Sequence, residues 1–182
     1  MAIEELRTLV STGEFDWNVA RKFIQRIGEG NLTRAENPES HISTYLFVVD
    51  YKACLVYLGL HKKSGLVLGN GGHVELGESP TQTYYREFGE ELGNYSEILA
   101  FPNTPEFLSV TEGIDNPGRN CRTHYDFWYF IEADHENFNP DEEKVKEEFG
   151  WMKWLTLREA REIVTDKSTL QALDVLEEKI QV

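Results

Sequence analysis

Three carboxylates, Glu87, Glu90 and Glu91, crowd one short segment of this chain. If that segment is helical, Glu87 and Glu91 stand four apart and Glu90 stands three from Glu87. All three then project toward one side. Like charges at this spacing cost about 0.2–0.5 kcal/mol per pair on an exposed helix, and more when partly buried. Glu87 and Glu91 also lie toward the C-terminal end of the helix, whose dipole disfavours anions. Folding alone does not favour such an arrangement. A hard divalent cation does, because carboxylate oxygens are the donors that magnesium and manganese prefer.

The segment that must position these acids, Gly72 to Gly93, reads GHVELGESPTQTYYREFGEELG. Ser79 is placed to cap a helix, Pro80 suits its first position, and Gln82 completes a capping box with Ser79. Gly93 falls where a left-handed C-terminal cap is expected. Arg86 can pair with Glu90 four residues on or with Glu78 in the preceding loop, and the second pairing would pin loop to helix. The glycines before the helix permit backbone angles closed to other residues and can bring a backbone carbonyl close to a metal. Taken alone, Arg-Glu-Phe-Gly-Glu-Glu reads as a solvated helix face. The conjunction of glycine loop, Glu78, capped helix and acid cluster points to a site instead.

Around this segment the periodicity divides the chain. Residues 1–40 read as helical, with Asp16 capping a helix whose apolar face is Trp17, Ala20, Ile24 and Ile27. From His41 onward β-rich runs dominate: Ser43 to Val49 and Ala53 to Leu60 form a hairpin through Asp50-Tyr51-Lys52. Strands are expected near Glu97 to Ala100, Phe107 to Thr111, His124 to Ile131 and Trp151 to Leu155. Helices over about Leu157 to Val164 and Lys167 to Ile180 close the sequence. Interleaved helices and strands indicate an α/β (α+β) class, and the hairpins argue for a mixed rather than parallel sheet.

A length of 182 residues suits one domain with a short extension, and 40% hydrophobic residues are enough for a core. The net charge of −14 disfavours nucleic acid and anionic lipid as partners. No apolar run approaches the roughly 20 residues that span a bilayer, and the first residues lack the pattern of a secretory signal. A cytoplasmic protein is expected. Two cysteines, Cys54 and Cys121, are too few for a disulfide framework or a structural zinc site. Cys54, inside an apolar run, reads as a small buried hydrophobe.

The segment resembles the Nudix box, G-x5-E-x7-R-E-U-x-E-E-x-G-U with U a bulky apolar residue. Gly72, Glu78, Arg86, Glu87, Phe88, Glu90, Glu91 and Gly93 all fall in register. The final U position is Asn94, a departure, and Tyr84 stands where small residues are common. The resemblance spans roughly residues 41–182 and implies an αβα sandwich with a mixed central sheet, carrying 1–40 as an N-terminal helical extension. It implies hydrolysis of a pyrophosphate bond, with Mg2+ or Mn2+ held by Glu87 and Glu91, Glu90 close by and the Gly71 carbonyl as a further ligand. Arg86 and Glu78 would form the structural pair. The substrate class is a nucleoside diphosphate linked to another moiety, or another small diphosphate.

One carboxylate must accept a proton from the attacking water. Glu90 is the local candidate, and Glu147 or Glu148 in the acidic stretch before Trp151 is the distant one. His124 and Asp126 alternate along one strand and share a face, either lining a cleft toward substrate or forming a bonded pair. Arg119 and Arg122 are candidate phosphate contacts, and His73 reads as a loop residue rather than a ligand. Tyr125, Trp128 and Tyr129 suit stacking on a base, but packing is the better reading of each. Two other functions share the fold. An isopentenyl-diphosphate isomerase needs a reactive cysteine in a signature that neither Cys54 nor Cys121 provides, and a non-catalytic nucleotide sensor is at odds with a complete set of box acids. The N-terminal helices leave three roles open: homodimer contact, lid, or packing.

Overall fold

The computed structural model describes residues 3–93, 95–112 and 121–180. Its elements run α1 (Ile3–Thr12), α2 (Trp17–Glu29), β1 (Ser40–Asp50), β2 (Leu55–His61), β3 (Val67–Leu68), β4 (Asn70–His73) and α3 (Pro80–Glu91). They continue with β5 (Ile98–Ala100), β6 (Phe107–Glu112), β7 (Thr123–Ala133), α4 (Glu142–Glu148), β8 (Phe149–Thr156), α5 (Leu157–Ile163) and α6 (Lys167–Ile180). The strands form a mixed eight-stranded sheet in the order β3-β2-β1-β7-β5, with β4 on β1, β6 on β7 and β8 on β2. The mixed α/β class expected from the sequence is the one observed. Two compact units divide the chain: residues 1–45, 71–84 and 103–129 in the first, and 46–70, 85–102 and 130–182 in the second.

In the first unit Asp16 caps α2 as its position predicts, accepting from the amides of Asn18 at 2.9 Å and Val19 at 3.1 Å. The buried face of α2 differs from expectation. Ile27 is fully buried as expected, but Trp17 is 74% exposed, Ile24 is exposed, and Phe23, outside the expected face, is fully buried. The reason is aromatic: the Phe23 ring stands edge-on to Tyr125 and Phe127 at 5.3 and 5.1 Å. Arg26, 3% exposed, lies on the same stripe as Phe23. Its guanidinium donates to the carbonyls of Gly30, Asn31 and Ser40 and to the Ser40 hydroxyl. A buried cation is tolerated because every donor nitrogen has an acceptor.

Two further residues of this unit explain local sequence. Gly71 has φ +145°, and a Cβ there would stand 2.2 Å from the Thr44 carbonyl oxygen. Only glycine fits so close a backbone crossing. Tyr84, the unusual bulky residue of the motif, is fully buried with its ring 4.5 Å from that of Tyr129. Trp128 and Tyr129 are likewise buried, and the Trp128 indole N–H donates to Ser109 Oγ at 2.9 Å. Packing is therefore the role of both.

In the second unit the β1–β2 hairpin pairs Val48 with Tyr57 and Val49 with Val56. Cys54 lies in its turn with φ +56°, exposed, contrary to the buried position expected. The strand starts at Leu55, one residue beyond it, so the apolar run misplaced the boundary. Across β2 and β8, Tyr57 faces Trp154, and both rings meet Phe138. Arg161 joins the last two helices through Asp174 at 2.6 Å and Glu177 at 2.8 Å. Helix α4 was expected only as an acidic run. Asp141 caps it, accepting from the Glu143 and Lys144 amides.

Candidate active site

Helix α3 starts where its capping residues place it. Ser79 Oγ accepts from the Gln82 amide at 3.2 Å, and the Gln82 side chain accepts from the Ser79 amide at 2.8 Å. That reciprocal pair satisfies two otherwise orphaned donors of the first turn. At the other end Gly93, φ +74°, donates its amide to the Phe88 carbonyl at 3.1 Å. The helix is also tied down from α4, where Lys144 Nζ donates to the Gly89 carbonyl at 2.6 Å. A cation at the carbonyl end of a helix complements its dipole.

The three acids do not share one environment. Glu87 and Glu91 are buried, at 9% and 7% exposure, whereas the Glu90 side chain is 59% exposed. Arg86 Nη1 donates to Glu87 Oε1 at 2.8 Å and to Glu90 Oε2 at 3.0 Å. Arg86 thus engages Glu90, a partner that spacing offered it, and Glu87 as well. In the first unit Glu78 accepts from the Glu75 amide at 3.2 Å and from the Thr83 hydroxyl at 3.0 Å, closing the loop before the helix.

The sequence did not mark Asn70, which lies beside Glu91. Its Nδ2 donates to Glu91 Oε2 at 2.9 Å, and the residue is fully buried. Its Oδ1 is buried without a hydrogen-bond partner. Leaving such an oxygen unmatched costs on the order of 1–3 kcal/mol. A divalent cation or its bound water offers the missing positive partner. Glu87, Glu91 and this amide oxygen are a hard-oxygen donor set, and they suit magnesium or manganese. An amide at the start of a glycine-bearing strand, where an apolar residue would be ordinary, was the only signal of it.

Glu148 ends α4 in an ion pair with Lys63 Nζ at 2.6 Å, with His61 Nε2 at 3.6 Å. The Lys63 hydrogen bond holds its carboxyl below the usual glutamate range despite partial burial. Glu147 is exposed. Arg122 is 75% exposed and 3.7 Å from Glu39. Arg119 and Asn94 lie outside the described residues. Asp126 is 1% exposed and accepts from Ser43, Ser109 and Thr111 at 2.5, 3.0 and 2.7 Å. His124 is 8% exposed, with its Nε2 3.4 Å from that of His73. Both belong to the interior of the first unit rather than to an open face.

The NUDIX domain profile matches residues 36–173. A search of curated proteins finds no match. Among solved structures, a NUDIX-family hydrolase from Clostridium perfringens is 21% identical with a TM-score of 0.56, over 76% of this chain and 97% of that one. The dihydroneopterin triphosphate pyrophosphohydrolase of E. coli is 16% identical with a TM-score of 0.57, over 73% and 92%. The Ap4A hydrolase of C. elegans is 14% identical with a TM-score of 0.57, over 78% and 98%. Among the described residues no helix is long and apolar enough to cross a membrane. With its capped helix, paired buried carboxylates and a profile match over most of its length, the chain belongs to the NUDIX family of hydrolases, which cleave pyrophosphate bonds in nucleoside diphosphate derivatives.

Proposed function

We propose that this chain hydrolyses the pyrophosphate bond of a nucleoside diphosphate linked to another moiety, by attack of water on phosphorus, with Mg2+ or Mn2+ held by Glu87 and Glu91. The observation that carries this reading is the buried pair of carboxylates beside the partnerless Asn70 oxygen. Bound there, the cation would neutralise phosphoryl oxygens and make a water more acidic. Gly71, bonded directly to Asn70, is the proposed carbonyl ligand.

The protein groups divide the remaining work. Asn70 orients Glu91, and Arg86 orients Glu87. Glu90, on the same helix, 59% exposed and bonded to Arg86, is our first candidate to accept the proton. Glu147 is the second, and Glu148 must leave Lys63 before it can serve. Arg119 and Arg122 are proposed to meet substrate phosphate, offsetting the charge of a chain that is −14 overall.

The test is cleavage of a substrate panel with and without each metal. The panel holds nucleoside diphosphate sugars, nucleoside triphosphates and dinucleoside polyphosphates, the last being the class named for the Ap4A hydrolase above. Metal-dependent cleavage of at least one is expected. Metal-dependent binding of a nucleotide with no cleavage of any would establish a sensor instead.

A further inference from the structure

Four side chains of the first unit converge on one another. His41 from β1, His73 at the end of β4, Cys121 just before β7 and His124 within β7 place their ligand atoms within 4.8 Å of one another. His41 and Cys121 are buried at 0% and 4% exposure, and His124 at 8%. We propose that these four residues form a closed transition-metal site, with zinc as the ion their chemistry suits best.

The distances have the right scale. Zinc takes nitrogen at about 2.0–2.1 Å and thiolate sulfur at about 2.3 Å in a tetrahedron, which sets N···N edges of about 3.3–3.4 Å and N···S edges of about 3.6 Å. The Nε2 atoms of His73 and His124 are 3.4 Å apart, and Cys121 Sγ is 3.7 Å from His41 Nε2. The outer atoms are arranged for ligation as well. His41 Nδ1 lies 3.0 Å from the Asn37 carbonyl and donates to it, which leaves Nε2 as the lone-pair nitrogen facing the cluster. This is the usual second contact of a metal-bound histidine.

Ligand type separates this site from the carboxylates of α3. Three imidazoles and a thiol are borderline-soft donors, suited to zinc or cobalt and ill-suited to magnesium. Four protein ligands leave no open position, so the site is structural. It would staple β1, the strand leading into the box segment, and the start of β7. Reading the cysteines alone excluded zinc, because one cysteine with three histidines from distant positions has no local spacing to recognise.

The test is optical. The full-length protein is stripped with chelator and titrated with Co2+. One equivalent is expected to give intense tetrahedral ligand-field bands and a thiolate-to-cobalt charge-transfer band, and Zn2+ is expected to bleach both. Cys121→Ser should lose the charge-transfer band, whereas Cys54→Ser and the Glu87→Gln/Glu91→Gln double variant should keep it. Absence of that band in the native sequence, or its survival in Cys121→Ser, overturns the site. Should Cys121→Ser fail to fold, zinc-edge X-ray absorption of the native protein decides: a first shell with one sulfur and three nitrogens supports the proposal, and a shell without sulfur ends it.

Discussion

Glu91 combines burial, negative charge and a helix C-terminus, three conditions that each disfavour it. Its hydrogen bond from Asn70 survives replacement by glutamine, since an amide oxygen also accepts. Glu91→Gln therefore separates charge from shape. We expect a turnover loss on the order of 10²–10³-fold, the scale on which removing one electrostatic stabiliser acts, with melting temperature unchanged or raised. Steady-state rates beside a thermal melt check this, and an active variant would refute the metal assignment. Asp126 is the opposite case, a buried carboxylate whose charge is matched by three hydroxyl donors. In Asp126→Asn, one side-chain position changes from acceptor to donor and leaves hydroxyls mismatched. That costs on the order of 1–3 kcal/mol, at about 2–4 °C per kcal/mol for a chain of this size. Calorimetry showing no decrease would mean that the hydroxyls find other acceptors.

At the scale of elements, α3 was legible because its ends are written in local chemistry: Ser79 with Gln82, and Gly93. The hairpin of β1 and β2 was legible from alternating β-rich runs around a polar turn. Helix α4 was not, although Asp141 followed by Glu142 and Glu143 is a capped start. Its 7 residues bury nothing, so no apolar stripe marked it. The acids of the proposed metal site were legible from spacing within one helix, whereas Asn70 was not, because its partner is 21 residues away. The link between α3 and α4 can be probed at Gly93. A Cβ there would meet Lys144 Cδ at 2.9 Å and Asp141 Cβ at 3.0 Å, in a residue already at φ +74°. Gly65, at φ +70°, has nothing within 4 Å. Gly65→Ala should cost about 1–2 kcal/mol from backbone strain alone, and Gly93→Ala should cost more. Equal losses in urea unfolding would show that α4 yields without penalty.

Over the whole molecule, 32 acidic residues against 18 basic ones make pH the natural variable. Acidification relieves repulsion among surface carboxylates, which by itself favours the folded chain. Asp50 acts against that trend. It is 6% exposed and accepts from the Ala53 amide at 2.8 Å and from the His135 amide and Nδ1 at 3.0 and 2.7 Å. Burial, the largest single influence, pushes its carboxyl up, but these hydrogen bonds with the His135 charge outweigh it and hold the pKa at about 2. A group whose folded pKa lies below its unfolded value stabilises the fold above the unfolded value and loses that contribution as pH falls through the folded one. For Asp50 the window runs from about pH 4 down to about 2, and the contribution is on the order of 2 kcal/mol. Thermal melts across that window should show the native sequence losing stability more steeply than Asp50→Asn, which carries no titrating group at this turn. Parallel profiles would place the acid sensitivity elsewhere among the carboxylates and leave the Asp50–His135 contact without a measurable part in it.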